Sequence, residues 1–552
     1  MLTKLALAIV ALAAVLVFNR LLALVTRISK SRLPLPPGPA GLPVIGNIHQ
    51  NPKTHAWLQW HKWSKKYGPV IYLNMLGQPI VILHSAKTAQ DLLARRGATY
   101  SDRPRLVLAG ELALKGLHLV LMPYDARYKL HQRLEAPLLS PRAASSYQPI
   151  LDLENRQLLF DILTSAASPR GVDYHHQLER TMASLTYALM YGYRLPTGHE
   201  PEIVRAHVIM KEFADMMSGN NIVDILPFLD KLPIPWPWRT KAERHWLEQR
   251  DLHLTNLNRA KANPGWNFVK EMGASAEVKQ MNEEEFAFDV GILADAALET
   301  TVLTGNWFVV AWLTQNKKSG FVTKAQRLLD DVVGRDRLPS FADRPNLVYI
   351  DAIVEEVLRW RPIGITGIPH VTKVEDQYEG YRIPAGTMVF ANQWSITRDT
   401  ATFGPDADDF VPERWLADAD WAHCGPGDVK TRPKSDGAAP LKDIPSTGFG
   451  FGRRICTGQH IARTQLWLQV ALLLWAFNLE GAVDPQSGEP IEVDPWAMAE
   501  SLIIKPLPFN AIIKPRGPWV EELVMRDCNV NKQDFVELLE KIGRDRAPRR
   551  EN

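Results

Sequence analysis

Cys456 is the residue of this sequence best placed to do chemistry. It follows three closely spaced glycines, Gly448, Gly450 and Gly452, and an apolar helical pattern begins just after it. Glycine lets the backbone approach a ligand closely, and the aligned peptide dipoles at a helix N-terminus favour a thiolate. This segment therefore predicts a pocket for a negatively charged sulfur.

Two other interpretations apply to the same segment. The GxGxG string resembles part of a dinucleotide-binding loop, but Arg453 stands where the third glycine of that fingerprint would fall. No acidic ribose partner follows at the right distance either. A free cysteine is also commonly just a small buried apolar residue. Taken alone, Cys456 fits that last interpretation, and only its surroundings argue against it.

Polar residues also occur inside two apolar helical patterns. Glu356 and Arg359 lie one helical turn apart in EEVLRWRP, although such pairs are common on solvated helices. Residues 282–313 contain no proline and begin with an Asn cap followed by a glutamate, which predicts a helix of about 48 Å. That helix is apolar on all sides and must be buried, yet Glu299 and Thr300 lie in its middle.

The residues around Cys456 resemble the heme-binding signature of the cytochrome P-450 family. Phe449, Gly452, Arg454, Cys456 and Gly458 occupy every defined position of the pattern FxxGxRxCxG. The resemblance implies a mainly α fold with small β-sheets in a single heme domain. It also implies that Cys456 is the axial thiolate ligand of the iron of heme b.

The same resemblance assigns further cofactor contacts. Phe449 would pack against the sulfur, and Arg454 would pair with a heme propionate. Gly450 belongs to the cofactor-binding loop, and Gly458 would let the following helix pass close to the macrocycle. His370, in GIPH, matches another propionate contact.

One departure from the family concerns the helix at one heme edge. Members usually carry WxxxR there, but this chain has Tyr128 in place of the Trp and Gln132 in place of the Arg. Arg133, Lys129 or His131 could compensate for the lost charge. We take Arg133 and Tyr128 as cofactor contacts and expect Arg133→Ala to lower heme occupancy. Unchanged occupancy would move the role to Lys129 or His131.

Family motifs continue in the expected order over about residues 33–516. Glu356, Arg359 and Arg414, the last in FVPERW, correspond to a buried ion triad that braces the cysteine loop in the family. We assign these three residues a structural role rather than a catalytic one. Removing one partner of such a buried set commonly costs about 3 to 5 kcal/mol.

AALETT, residues 296–301, resembles the family's oxygen-activation motif, with Ala297 where glycine is usual. Glu299 and Thr300 would then be catalytic and relay protons during oxygen activation. The alternative is a threonine bonded to its own helix carbonyl and a glutamate facing solvent. The apolar neighbours argue against solvent at Glu299.

The N-terminus predicts a membrane anchor over residues 1–32. An almost continuous apolar stretch of 21 residues, Leu5 to Val25, is long enough to cross a bilayer. A cleaved signal usually has its positive charge before the apolar core, whereas here the basic excess follows it. We therefore expect a single-pass anchor in the endoplasmic reticulum membrane with the body in the cytosol. Residues 33–48, rich in proline, would be a stiff hinge.

Composition excludes several classes. The 552 residues include 64 Lys plus Arg and 61 Asp plus Glu, a near-neutral balance that gives no reason to expect a nucleic-acid partner. Three scattered cysteines, Cys424, Cys456 and Cys528, cannot form a disulfide framework. We expect one heme domain over residues 49–516, with a surface insertion at 418–443. Residues 517–552 would be a peripheral tail.

The resemblance also implies partners. A family member with an anchor and no fused flavin domain is expected to receive electrons from NADPH through a membrane-bound reductase, with a cytochrome b-type protein as an alternative donor, and to use O2 as co-substrate. Basic residues Lys129, Arg133, Arg453 and Arg454 would face that reductase. Two rivals remain: an isomerase or dehydratase of the same fold, and a membrane-tethered heme-binding protein without turnover.

The substrate is expected to be a lipophilic small molecule. The amino-acid sequence resembles those of fungal members of the family that oxidise secondary metabolites. The segments expected to line the pocket are largely apolar: 105–121, 213–221, 293–297, 363–368 and 502–504. In PIPWPW, Trp236 and Trp238 either dip into the membrane or belong to a packed internal loop.

Overall fold

The computed structural model describes residues 33–165, 172–217, 221–416, 447–483, 489, 491–500, 502–530 and 535–547. Within them the chain is mainly helical with small β-sheets, which confirms that part of the predicted fold class. The predicted anchor, residues 1–32, and the predicted insertion, residues 418–443, lie outside the described residues. Among the helices that are described, none has the length and apolar character needed to cross a bilayer.

The helices are numbered in chain order. They are α1 (Ala56–Tyr67), α2 (Ala86–Ala89), α3 (Gly97–Tyr100), α4 (Ala126–Leu139), α5 (Pro141–Ser146), α6 (Gln148–Ser165), α7 (Tyr174–Tyr191), α8 (Pro201–Met216), α9 (Ile222–Ile225), α10 (Pro237–Ala262), α11 (Phe268–Gly273), α12 (Glu283–Ser319), α13 (Phe321–Val332), α14 (Val348–Trp360), α15 (Gln393–Ile396), α16 (Thr400–Phe403), α17 (Gln459–Ala476), α18 (Pro518–Asp527) and α19 (Val536–Arg546). Wider or tighter helical turns occur at Ile48–Gln50, Gln90–Arg95, Val107–Ala113, Pro227–Lys231, Val278–Gln280, Phe341–Asn346, Pro412–Trp415, Thr447–Phe449 and Gly452–Arg454.

The strands are short. They are β1 (Val70–Met75), β2 (Gln78–Leu83), β3 (His370–Val371), β4 (Asp376–Tyr378), β5 (Tyr381–Ile383), β6 (Met388–Ala391), β7 (Phe477–Gly481), β8 (Met498–Glu500), β9 (Ile504–Pro506) and β10 (Ala511–Pro515). One sheet has four strands in the order β1-β2-β6-β3, with β2 and β6 parallel and the other pairs antiparallel. The remaining strands form three antiparallel pairs, β4–β5, β7–β10 and β8–β9.

The described chain forms two compact units. The first contains Thr366–Asp399, Phe451–Arg453 and the described residues up to Pro104. Its core packs the four-stranded sheet against the turn Gln90–Arg95 and α3. The prolines predicted as a hinge also belong here, since the carbonyl of Pro37 accepts a hydrogen bond from the backbone of Tyr72 at 3.0 Å.

The second unit contains Arg105–Ile365, Thr400–Gly450 and the residues from Arg454 onward, where they are described. Its central element is α12, which packs against α7, α10, α14 and α17. The Asn282 side chain caps α12 by accepting from the backbone N–H of Glu285, and Gly320 ends it in a left-handed conformation with φ 64°. The helix predicted over residues 282–313 is confirmed and continues to Ser319.

The described part of the C-terminal tail packs into the second unit. Leu539 and Ile542 of α19 and Cys528 after α18 are fully buried. Arg546 donates hydrogen bonds to both carboxylate oxygens of Glu271 on α11, at 2.8 and 2.5 Å. The expectation of a peripheral appendage is therefore wrong for these residues, because the apolar face of α19 is covered by the body of the unit.

Arg546→Ala is expected to lower the free energy of unfolding by about 2 kcal/mol, because it leaves the Glu271 carboxylate without its bidentate partner. Arg544→Ala is the matched control, since Arg544 is 67% exposed and reaches only Glu540, at 3.9 Å. We expect about 0.5 kcal/mol or less for that control. Urea unfolding of both variants measures the difference. Equal losses of unfolding free energy would contradict the role of Arg546 in fixing α19 to α11.

Candidate active site

The loop before α17 holds Cys456 at the N-terminal end of that helix. Two glycines turn the chain with positive φ, Gly450 at 81° and Gly452 at 62°. The backbone N–H of Cys456 donates to the carbonyl of Phe449 at 2.9 Å and closes the loop. Gly458 is the residue immediately before α17. The loop thus presents the sulfur to the free N–H groups of the first helical turn, as the sequence predicts.

The electrostatics around Cys456 work in opposite directions. Burial is the largest influence and raises the pKa of the thiol overall, although the backbone N–H groups of Gly458 and Gln459 and the charge of Arg463 act in the lowering direction. Yet the side chain itself has water-accessible surface. The sulfur is therefore accessible to water although protein surrounds it at longer range. The donor, a sulfur stabilised by N–H groups and a cation, fits the thiolate ligand of a heme iron.

Arg463 was not predicted; it lies on the second turn of α17, seven residues after Cys456. Its Nε donates to Glu355 at 2.7 Å and one terminal nitrogen donates to Gln459 at 2.9 Å. Its guanidinium also lies over the Phe449 ring, 4.6 Å from the centroid. This residue therefore fixes the aromatic side chain of the loop and places a positive charge near the sulfur.

The ion triad has the predicted members. Arg359 donates to both oxygens of Glu356 at 2.7 Å, and Arg414 donates to one of them at 3.1 Å. Burial by itself would raise the pKa of Glu356, but the two guanidinium groups outweigh it and lower the pKa. Two donors were missed, the Trp415 indole at 2.9 Å and the Val411 backbone N–H at 2.7 Å.

The triad is linked to the cysteine loop through α14. That helix packs against the turn Thr447–Phe449. A Cβ atom added at Gly448 would come 3.4 Å from the carbonyl oxygen of Leu358, so the two backbones are nearly in contact. The buried ions therefore hold the helix on which the cysteine loop rests.

The middle of α12 has one accessible stripe. Leu293, Ala296, Ala297 and Thr300 retain water-accessible surface, whereas most of the surrounding helix is buried. Their spacing of three or four residues places them on one face. Because α12 packs against α17 in the same unit, this face and Cys456 belong to neighbouring elements. The stripe is apolar except for one hydroxyl.

That hydroxyl makes a local hydrogen bond. Thr300 Oγ1 donates to the carbonyl of Ala296 at 2.9 Å. This bond to its own helix is the alternative to a proton-relay role for Thr300. With its proton directed at the helix, the oxygen keeps its lone pairs for a second donor.

Glu299 is not shielded from solvent. Its side chain is 32% exposed, and it pairs with Lys505 of β9 at 3.5 Å. The expectation that its apolar neighbours exclude solvent is wrong, because the helix opens along this side. Lys505 was missed; it lies 206 positions further along the chain, and no local pattern signals such a pairing. A backbone hydrogen bond from Ile504 to Ile363, at 2.9 Å, fixes the strand.

Arg454 and Tyr128 are brought together. The guanidinium of Arg454 lies 3.7 Å from the centroid of the Tyr128 ring. Its terminal nitrogens donate to the carbonyls of Leu119 at 3.3 Å and Met122 at 2.6 Å. Tyr128 is buried on α4 and Gln132 is half-buried. A short Arg–Tyr stack thus joins α4 to the cysteine segment.

The other predicted propionate contacts lie elsewhere. Arg133 is 59% exposed and approaches Glu277 at 3.8 Å. Lys129 is exposed, with its ammonium over the Tyr124 ring at 5.3 Å. In the first unit, His370 is buried and its Nδ1 lies 2.7 Å from the carbonyl oxygen of Tyr100.

His131 is fully buried in a different setting. Its Nδ1 lies 2.6 Å from Asp289 and its Nε2 lies 2.9 Å from Glu285, both on α12. Arg127 pairs with the other oxygen of Glu285. The ring is thus committed to two carboxylates, a role that the sequence did not suggest.

Comparison with known proteins agrees with the geometry. The family model described as cytochrome P-450 matches residues 36–510. The cytochrome P-450 monooxygenase aneD of Aspergillus aculeatus is 36% identical over 516 residues, 92% of this chain and 93% of its own. FrzL of Cladobotryum sp is 34% identical, covering 94% of each chain, and peniB of Penicillium patulum is 34% identical, covering 88% of this chain and 85% of its own. Both are named cytochrome P-450 monooxygenases. The chain therefore belongs to the cytochrome P-450 family of oxidoreductases.

Proposed function

We propose that this protein is a heme-thiolate monooxygenase that inserts one oxygen atom from O2 into a lipophilic small molecule. NADPH supplies the electrons through a separate reductase. The observation that carries the proposal is the water-accessible sulfur of Cys456 at the N-terminus of α17, in the unit that also presents the accessible stripe of α12. Family membership supplies the cofactor, heme b.

The residues near the sulfur have distinct tasks in this proposal. When bound, heme supplies dioxygen activation at a thiolate-ligated iron. Cys456 provides the ligand, and the N–H groups of Gly458 and Gln459 stabilise its negative charge. Arg463 adds a positive charge and holds Phe449 in the loop. Together these groups favour the thiolate over the thiol, against the burial that raises the pKa of Cys456.

Protons are handled on α12. Glu299 is exposed enough to exchange protons with solvent, and its pairing with Lys505 orients the carboxylate. Thr300 is the next residue, and its oxygen can accept a hydrogen bond while its own proton stays on the Ala296 carbonyl. A glutamate open to water beside a hydroxyl on the accessible stripe is a short route for protons into the cleft.

The substrate that suits this site is a lipophilic metabolite. Leu293, Ala296 and Ala297 give the accessible stripe of α12 an apolar surface without a charge, so a highly charged ligand would lose its hydration there without compensation. The sequence relatives are fungal enzymes. We therefore propose a fungal secondary metabolite as substrate.

The electron donor would be a membrane-bound NADPH-dependent flavoprotein reductase, with a cytochrome b-type protein as a possible second donor. Lys129 and Arg133 are exposed basic residues of the second unit that an acidic partner could contact. Arg454 is less suited to docking than the sequence suggests, since its guanidinium is held by Tyr128 and two carbonyls.

The experiment that tests this function uses the purified full-length protein. The reduced carbon monoxide difference spectrum should show the red-shifted band of thiolate ligation. Incubation with NADPH, reductase, isotopically labelled dioxygen and a panel of lipophilic fungal metabolites should give a product with one labelled oxygen atom. Rearranged or dehydrated products without label, from a protein with the thiolate band, would favour an isomerase or dehydratase instead.

We also propose that the body contacts the endoplasmic reticulum membrane from the cytosolic side, tethered by residues 1–32. The rings of Trp236 and Trp238 are stacked 4.4 Å apart, and their indole N–H groups donate to the Leu229 carbonyl and the Asp230 carboxylate. Both tryptophans are half-buried, which favours the packed-loop interpretation for them. Exposed apolar side chains nearby in sequence are better suited to lipid: Ile222, Ile225, Phe228, Leu232 and Ile234.

Phe228→Ser combined with Ile234→Ser is therefore expected to weaken vesicle binding of a protein lacking residues 1–32 by roughly tenfold, since two exposed apolar side chains no longer enter the lipid. Vesicle co-sedimentation measures the binding. Met525→Ser is the control, because Met525 is 55% exposed on a different helix, α18. Unchanged binding of the double variant would rule out this contact surface.

A further inference from the structure

The helix α4 lacks the arginine through which relatives of this chain are expected to hold a heme propionate, and the structure supplies no obvious substitute on the same face. Gln132 occupies that position. Arg133 is 59% exposed and near Glu277, and Lys129 is exposed over Tyr124. Arg133 is five residues after Tyr128, which on a helix places it about 140° away from that ring.

What α4 does have is a set of polar side chains that pair with α12 and are mostly buried. We call it the α4–α12 ionic cluster: Arg127 and His131 of α4, and Glu285 and Asp289 of α12. His131 and Asp289 have fully buried side chains, and Glu285 is only 5% exposed. Both ring nitrogens of His131 lie within hydrogen-bond distance of carboxylate oxygens, and Arg127 pairs with Glu285. Three side-chain contacts thus join the two helices within one turn of each.

The cluster lies next to the contact that links α4 to the cysteine segment. Tyr128, three residues before His131, stacks on Arg454, which is two residues before Cys456. One turn of α4 therefore contacts both the cysteine segment and α12, since residues three apart lie on the same face of a helix. Each of these contacts is made between protein groups alone.

We propose that the α4–α12 ionic cluster, with His131 at its centre, is what positions α4 for heme retention in this protein, in place of a cation on α4 bound to a propionate. His131 is a positioning residue: it acts by fixing the helix and does not touch the cofactor. The inference rests on the proposed function, because it presumes a heme-binding protein. It reverses the expectation drawn from the sequence for Arg133.

Heme loss from the purified full-length holoprotein tests this, measured as transfer to an excess of apomyoglobin. His131→Leu removes the hydrogen-bond partner of the buried Asp289 and one of the two partners of Glu285, and is expected to accelerate heme loss about tenfold or more. Arg133→Ala and Lys129→Ala should stay within about twofold of the parent, since both side chains are exposed. Because His131→Leu can prevent folding, Asp289→Asn serves as the second variant, with a smaller acceleration in the same direction.

A matched control separates positioning from general destabilisation. Glu154 is fully buried and paired with Arg180 and Arg194, in a cluster that joins α6 and α7 without α4. Glu154→Gln should lower the melting temperature as much as Asp289→Asn but leave the rate of heme loss near that of the parent.

Faster heme loss from Arg133→Ala or Lys129→Ala would overturn the inference, as would equal heme-loss rates in Asp289→Asn and Glu154→Gln. A parent protein that binds no heme, or binds it without the thiolate band, would instead refute the proposed function. The two failures are therefore distinguishable.

Discussion

Glu356→Ala is expected to yield protein that neither retains heme nor folds stably. The carboxylate accepts hydrogen bonds from Arg359, Arg414, the Trp415 indole and the Val411 backbone, so one substitution removes the acceptor for four donors. Two guanidinium groups would be left buried, with side chains only 1% exposed. Breaking one buried ion pair commonly costs about 3 to 5 kcal/mol.

That cost is a large part of the total stability of a typical domain, about 5 to 15 kcal/mol. The cysteine loop would also lose its support, because α14 packs directly against Thr447–Phe449. The measurements are soluble yield, the free energy of unfolding in urea, and the ratio of heme to protein. Glu480→Ala is the control, since Glu480 pairs with Lys514 at 2.7 Å but both side chains are more than half exposed. We expect that control to lose about 1 kcal/mol at most.

A stable, fully heme-loaded Glu356→Ala protein would contradict the bracing role of the triad. Glu356→Gln should be intermediate, because the amide keeps one acceptor oxygen but loses the charge that balances the two arginines. Heme content is therefore expected to rise from Glu356→Ala to Glu356→Gln and from Glu356→Gln to the parent protein. An arginine-to-lysine exchange at 359 should also be harmful, since lysine cannot bond to both carboxylate oxygens in the same planar geometry.

Cys456→Ser is expected to abolish the thiolate band in the reduced carbon monoxide spectrum and all reductase-supported turnover. A serine hydroxyl is similar in size but does not become an anionic soft donor at neutral pH. The fold should survive, because the loop is closed by the backbone bond from residue 456 to Phe449 rather than by the sulfur. Circular dichroism and the optical spectrum together distinguish lost ligation from lost structure.

Cys528→Ser is the matched control for this substitution. Cys528 is fully buried after α18, and burial raises the pKa of its thiol to about 12, so it remains a neutral apolar contact. Exchange for serine should reduce the free energy of unfolding by about 1 kcal/mol and leave the spectrum unchanged. A thiolate band that persists in Cys456→Ser would exclude Cys456 as the ligand.

Features with a local signal could be predicted from the sequence. The limits of α12 follow from the Asn282 cap and an apolar stretch without proline, and the structure only extends its C-terminal end. Glu356 and Arg359 were identifiable because one helical turn separates them. Cys456 was identifiable because the glycines and the flanking residues form a short, specific pattern.

Features that depend on distant elements could not be predicted. Lys505 reaches Glu299 only because β9 packs against α12. The partners of His131 lie 154 and 158 positions further along the chain. The apolar neighbours of Glu299 correctly indicated a buried helix, but they did not indicate which side of that helix would be exposed to solvent. The sequence predicted a peripheral tail because the surface against which α19 packs, near Glu271, belongs to a distant segment of the chain.

The accessible stripe of α12 also bears on how enzymes of this kind diverge. Ala296 is exposed in the middle of a helix that is otherwise mostly buried, so its side chain can grow without displacing a core neighbour. Leu293 and Ala297 are half-buried on the same face. The size of this accessible surface can therefore change at these positions with little loss of folding stability. The residues that hold the helix in place are separate from those on the accessible stripe, so the proposed substrate surface could vary while the scaffold stays the same.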